Sequence, residues 1–232
     1  MPYPDLPSRL AEVRQRIDEA LRRGGHGQSV RIVAVTKTHG PDAVDAAWNA
    51  GIEDVGENRV QEALDKMAAA TAPVRWHLIG HLQRNKARSA PRFHCVHSID
   101  SARLADAVNA HASAAGLRVR ALLEVNVSGE GSKSGFPLDT VAAEAERLRA
   151  LPGLEIVGAM TMAPLDAADA TLRSVFSGAR SARATLSAAG HPATELSMGM
   201  SGDYEVAVEE GATMVRLGTV LFGARPTTAG GP

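Results

Sequence analysis

The chain has 232 residues, which suits one large domain or two small ones. Its 25 Lys and Arg balance 26 Asp and Glu, and a net charge of −1 excludes the basic footprint of a nucleic-acid or anionic-membrane binder. A single cysteine, Cys95, excludes an internal disulfide and a cysteine-based zinc cluster and fits a reducing cytosol.

The N-terminal stretch MPYPDLPSRLAEVRQRIDEALRRGG lacks the apolar h-region of a signal peptide and reads as a helix over roughly 6–23. A repeating pattern follows. The apolar run RIVAVTK (31–37) is followed by the helical pattern PDAVDAAWNAG (41–51), and IEDV (52–55) by RVQEALDKMAAA (59–70). VRWHLIG (74–80) and FHCVHSI (93–99) read as strands, with SARLADAVNAHASAAG (101–116) helical after them. VRALLEVNV (119–127), the helical 137–151, LEIVGAM (154–160) and the helical 166–190 continue the series, and ATEL (193–196) and TMVRLG (213–218) are weaker strands. Apolar content without alternation predicts strands buried on both faces, as in a parallel sheet. Pro41 sits where a helix opens, and Gly51, Gly116 and Gly190 sit where helices stop.

About eight strands alternating with helices predict a TIM (β/α)8 barrel, an α/β fold, with an extra N-terminal helix flanking it. From pattern alone a doubly wound open sheet is the alternative. Residues 1–226 are expected to form one domain and 227–232 a disordered tail. The pairs His77/His81 and His94/His97 have spacings that helices use for metal, but here they fall on strands or strand ends. They read as strand-end or surface histidines, and no metal site is expected.

In such a barrel the chemistry gathers where the strands end. Lys37 completes the first apolar run. Burial there would lower the amine pKa and make it nucleophilic, and the alternative is a surface lysine or an ion pair. SMGMSGDYEVAVEEG (197–211) places a loop of small residues before a helix starting near Gly202 or Asp203, with Ser201 at its cap. VRLGTVLFG (215–223) brings Arg216 to the end of the last strand, then Gly218 and Thr219. Both segments fall after the last two strands, the usual phosphate corner of this barrel. Glu57, Asn58 and Arg59 face the mouth or cap the next helix, and Asn58 is either an N-cap or a ligand. Arg84 and Lys86 either attract an anion or line a solvated face. Asn126 sits at a strand end, and Lys133 lies in a Gly/Ser loop.

Taken together, VAVTK, GENRVQE, WHLIGHLQRNK, VNVSGEGSKSG and ELSMGMSGDYEVAVEEGATMVRLGTVLFG resemble the pyridoxal phosphate (PLP) homeostasis proteins, the YggS/PROSC-type PLP-binding family. The match runs in order over roughly residues 30 to 224. The resemblance implies a barrel similar to those of alanine racemase and ornithine decarboxylase. It also implies that Lys37 holds PLP as a Schiff base, that Ser201, Gly218 and Thr219 hold the phosphate, and that Arg216 faces the pyridine nitrogen. Asn58 and Met160 would lie near the ring. His81 departs from the expected smaller or less polar residue. Arginine cannot take up a proton from the ring, because it stays charged itself. With the sequence running only just past the last strand, the second domain that brings a catalytic tyrosine to racemases is not expected, and Tyr3 and Tyr204 are not obvious bases. The expectation is therefore a monomeric, cytoplasmic PLP carrier without catalytic residues, with PLP-dependent apoenzymes as partners and Lys133 assisting exchange. The alternatives are an amino-acid racemase of low activity and a Schiff-base aldolase without PLP.

Overall fold

The computed structural model describes residues 2–129 and 134–223. Eight parallel strands close on themselves. They are β1 (Arg31–Val35), β2 (Asp54–Glu57), β3 (Arg75–Leu78), β4 (Cys95–Ile99), β5 (Val119–Asn126), β7 (Leu154–Met160), β8 (Glu195–Ser197) and β9 (Met214–Leu217). β6 (Phe136–Pro137) pairs on the flank of β5. The pairing runs β4-β3-β2-β1-β9-β8-β7-β5, and a β4–β5 pairing at Val96↔Ala121 shuts the ring. That closure excludes the open sheet. The fold is the expected TIM barrel, with α1 (Leu6–Gly24) as the extra N-terminal helix.

The apolar stripe of α1 is Leu6, Leu10, Val13, Ile17 and Ala20, the three-to-four spacing of a helix with one buried face. It packs against α7 (Tyr204–Glu209) and α8 (Thr219–Phe222). Arg16 and Arg23 of α1 pair with Glu205 and Glu209 across that contact. The strands are wrapped by α2 (Pro41–Asn49), α3 (Val60–Ala69), α4 (Ala102–Ala114), α5 (Val141–Arg149) and α6 (Asp169–Ala188). The crossover from β3 to β4 departs from this rule. It is a run of 3-10 turns, Arg84–Arg92, because Pro91 and a polar, basic sequence deny it a continuous apolar stripe. Among the described residues no helix is long and apolar enough to cross a membrane.

Strand side chains alternate between the two faces of the sheet. Outward residues such as Ala34, Val55, Leu78, Val96, Leu123, Leu196, Val215 and Leu217 join the core beneath the helices. Inward apolar residues form a second, smaller core of Val33, Val35, Ile79, Cys95, Leu122, Val157, Met160 and Met214. The inner face is not wholly apolar. Asp54, His77, His97, Glu124, Ser197 and Arg216 are also buried. This corrects the reading of His77 and His97 as strand-end or surface groups, since His77 is 1% and His97 0% exposed. His81 is exposed and bonds Asp100, and His94 is half-buried. Burial, with His77 and Arg120 nearby, pushes the His94 pKa down to about 4, so that ring is neutral at neutral pH.

Candidate functional site

A cavity of about 600 Å³ opens at the C-terminal ends of the strands. Lys37, Asn58 and Met160 line one part of it. Ser201, Arg216, Gly218 and Thr219 also line it. Seven residues spread over 183 positions of sequence therefore share one chamber, as Lys37 and Thr219 mark its extremes.

Lys37 does not end β1 as the sequence suggested. The strand stops at Val35 and Lys37 lies in the following turn. The turn is held from both sides. Thr36 Oγ1 donates to Glu57 Oε1 at 2.6 Å, and Lys66 Nζ donates to the Thr36 carbonyl at 2.7 Å. On the other side the Thr38 N–H donates to Glu62 Oε1 at 2.7 Å. Thr38 has φ 68°, a left-handed conformation that a β-branched residue adopts only when its surroundings impose it. Lys66 Nζ reaches both carboxylates, Glu57 at 2.7 Å and Glu62 at 2.9 Å. Glu57 thus neither faces the mouth nor caps a helix. Alternation sends it outward beneath α3, where Lys66 meets it. Burial pushes its carboxyl above the ordinary value, against the opposing pull of the Lys66 and Thr36 hydrogen bonds. The N-cap position of α3 is Arg59, so the capping alternative for Asn58 falls away.

The neighbouring corner is built by the turn after β8 and the turn after β9. Gly199 has φ 90°, and a Cβ there would meet the Ala207 Cβ at 2.6 Å and the Tyr204 Cα at 2.9 Å. Only glycine lets this loop lie so close to α7. The α7 helix starts at Tyr204 and is six residues long, later than expected. Ser201 does not cap it. Its Oγ accepts the Val220 N–H of α8 at 3.3 Å, tying the two turns together. The Met200 N–H donates to Asp203 Oδ1 at 2.6 Å. A Cβ added at Gly218 would make only an ordinary 3.4 Å contact with Val35, so packing within the protein does not demand glycine there.

Arg216 rises from β9 inside the barrel, 4% exposed. It donates to Ser197 Oγ at 2.6 Å and to the Thr161 carbonyl at 3.0 Å. Burial lowers its pKa to about 10, partly offset by Asp203 and Glu124, so the guanidinium is charged at neutral pH.

A family model for the alanine racemase N-terminal domain matches residues 9–226. A protein of Pseudomonas aeruginosa named pyridoxal phosphate homeostasis protein is 41% identical, covering 95% of this chain and 96% of its own. Proteins of the same name from Aquifex aeolicus and Escherichia coli are 38% and 36% identical, covering 94% and 95% of this chain and 97% of their own. The chain belongs to the family of pyridoxal phosphate homeostasis proteins. Among solved structures, PipY of Synechococcus elongatus without PLP superposes with a TM-score of 0.84, at 38% identity over 94% of this chain and all of PipY. The same protein with PLP bound superposes with a TM-score of 0.81. Alanine racemase of Corynebacterium glutamicum, at 17% identity and a TM-score of 0.69, shares the fold over 94% of this chain and 63% of its own.

Sequence reasoning missed Glu124. It is 4% exposed, lines the cavity and accepts from Ser134 Oγ at 2.7 Å. Burial pushes its carboxyl above the ordinary value, with Asp100 adding to the rise and Arg216 opposing it. Alternation along VRALLEVN could have flagged it, because Leu122 and Glu124 share one face. Neither Tyr3 nor Tyr204 lines the cavity. Tyr3 instead bonds His39 and stacks edge-on against Phe222. Arg59, Arg84, Lys86 and Asn126 do not line it either. Asn126 organises its own loop, accepting from Ser128 and from the Gly129 N–H. Lys133 and the tail at 227–232 lie outside the described residues.

At the opposite end of the barrel Asp54 accepts two bonds from Arg75, at 2.8 and 2.7 Å, and one from His77 at 2.8 Å. Burial alone would raise its pKa, but the Arg75 and His77 bonds outweigh it and hold the carboxyl well below its usual range. A depressed carboxylate contributes stability above its unfolded pKa and loses it as pH falls below that value, about 4 for aspartate. Asp54→Asn should therefore cost about 2 kcal/mol at neutral pH. Urea unfolding of both proteins should show the gap closing as pH drops below about 4. A gap independent of pH would refute this account of Asp54.

Proposed function

We propose that the chain binds PLP in this cavity and serves intracellular PLP homeostasis. The observation that carries the reading is the meeting of Lys37 with Ser201, Gly218 and Thr219 in one chamber. The donor set fits the cofactor, with an amine for its aldehyde and hydroxyls and open backbone for its phosphate. PLP supplies a reactive aldehyde and an electron-withdrawing ring. The chain's own groups hold and orient it. Lys37 provides the covalent tether. The Ser201 hydroxyl accepts the Val220 N–H through its oxygen, so its proton can serve a phosphate oxygen. The missing side chain at Gly218 leaves room on the cavity side. Arg216 would stand against the pyridine nitrogen and, being charged, would not take up a proton there. Asn58 and Met160 would lie near the ring.

The relatives' names describe homeostasis proteins, which supports storage over turnover. We further read residues 1–226 as one PLP-binding domain that acts as a cytoplasmic monomer and hands PLP to apoenzymes. Purified protein mixed with PLP and desalted should keep a visible absorption band, run as a monomer on gel filtration, and reactivate a PLP-dependent apoenzyme. A chain that retains no PLP after desalting would remove the reading.

Glu124 favours a second reading, a racemase of low activity. A buried carboxyl in the cavity is an acid/base candidate. Circular dichroism of alanine and other amino acids incubated with the loaded protein separates the two. Turnover of about 1 per second or more, lost in Glu124→Gln, would favour the enzyme.

A further inference from the structure

Arg216 is a buried cation whose two hydrogen bonds go to neutral groups. Its bond to Ser197 begins a longer path. Ser197 Oγ lies 3.0 Å from His97 Nδ1. His97 Nε2 lies 2.9 Å from His77 Nδ1. His77 Nε2 lies 2.8 Å from Asp54 Oδ1, and Arg75 clamps Asp54 from outside the core. The path crosses the barrel interior from the cavity to the opposite end. Asp54, His77, His97 and Ser197 do not themselves line the cavity.

Donor and acceptor chemistry gives the path a direction. A guanidinium only donates, so Ser197 Oγ accepts from Arg216. Ionised Asp54 only accepts, so His77 Nε2 carries a proton. A neutral His77 then accepts at Nδ1, His97 donates from Nε2, and His97 Nδ1 accepts the Ser197 hydroxyl proton. With both rings neutral, no other arrangement satisfies every contact. Burial holds the His97 pKa far below its usual value, in keeping with the neutral ring. His77, Cys95 and His97 lie close enough together to suggest a metal site. All four ring nitrogens are already bonded, however, and burial raises the Cys95 thiol to about 12, so the cluster offers a cation no free ligand.

We infer that Ser197, His97, His77 and Asp54 form a positioning relay that fixes Arg216 against the cofactor and transmits cofactor binding to the far end of the barrel. The inference rests on the PLP reading above. Chains of such bonds polarise one another, so a change of partner at Arg216 is felt along the line.

The test is long-range nitrogen NMR of the histidine rings with and without saturating PLP, occupancy being read separately by the visible band. Resonances are assigned with His77→Gln and His97→Gln. Both rings should show the Nε2–H tautomer, and PLP should shift the ring nitrogens of His77 although His77 is outside the cavity. Ser197→Ala should abolish that shift and weaken PLP retention about tenfold or more, with Ser197→Thr restoring both. Either ring in the Nδ1–H form, or His77 nitrogens unmoved while the band shows full occupancy, would overturn the relay. Wild-type affinity in Ser197→Ala would overturn it too. A wild-type chain with no PLP band would instead overturn the proposed function, and the relay's role with it.

Discussion

Lys37→Ala is expected to give a folded barrel that shows no visible PLP band after desalting. Lys37 is only half-buried and sits in a turn, so its side chain contributes little to the core. Bonds of Thr36 and Thr38 shape the turn. Substitution should therefore remove the tether and spare the fold. The phosphate corner is untouched, so loose association with PLP should survive while covalent attachment does not. Borohydride reduction followed by peptide mass analysis makes the outcome unambiguous. Wild type should carry one reduced PLP adduct on Lys37, and the variant none. Lys37→Arg, which keeps the charge but not the nucleophile, should behave as Lys37→Ala does. An adduct of equal yield on another lysine in the variant would show that Lys37 is not the attachment point. A visible band in wild type that is lost in Lys37→Ala would also exclude the aldolase alternative, which uses Lys37 without PLP.

The second large effect belongs to Lys66, a residue outside the cavity. Glu57 is 0% exposed and Lys66 6%. Glu57 Oε2 already lacks a hydrogen-bond partner. Lys66→Met would leave that carboxyl facing only Thr36, and breaking a buried ion pair on one side costs about 3–5 kcal/mol. Denaturant unfolding should show this loss at neutral pH. Without Lys66 the Glu57 carboxyl binds its proton more tightly in the folded state. A group whose pKa rises on folding adds stability at low pH and loses it as pH rises. The deficit of Lys66→Met should therefore widen from acidic to neutral pH. The double variant Glu57→Gln, Lys66→Met should recover part of it, since no charge is then stranded. PLP retention should weaken as well, because Lys66 and its partner Glu62 frame the two residues beside Lys37. A single variant within 1 kcal/mol of wild type, against the expected loss of about 3–5 kcal/mol, would show that the triad does not hold this turn.

The barrel was legible because its signal is periodic. Apolar runs such as RIVAV and LEIVGAM recur between helical stretches at the right intervals, and eight of them suit a barrel, while closure itself is seen only in the β4–β5 pairing. The site was legible where a residue type is costly to bury, as with Lys37 and Arg216. What stayed hidden was orientation within strands. IEDV and VRWHLIG read as short buried strands whose inner and outer faces the sequence does not distinguish, so the meeting of Asp54 and His77 on the inner face stays hidden. A strand of four residues has too few positions for a period of two to stand out. The triad of Glu57, Glu62 and Lys66 was hidden for a different reason. Glu62 and Lys66 look like ordinary helix-surface charges, and Glu57 like a mouth-facing or capping residue, until α3 is laid over β2. The crossover at Arg84–Arg92 was equally opaque, since a polar stretch with an internal proline predicts no regular element.

Adjacency of β1 and β9 has one more consequence. Val33 faces Arg216 and Ala34 faces Leu217 across a single pair of strands, about 4.8 Å apart. The turns that carry Lys37 and Gly218 thus follow neighbouring rungs of one continuous ladder. The strands beneath them cannot part without unzipping the centre of the protein. On the proposed function, release of PLP would run through exchange of the Lys37 bond with another amine rather than through parting of these strands.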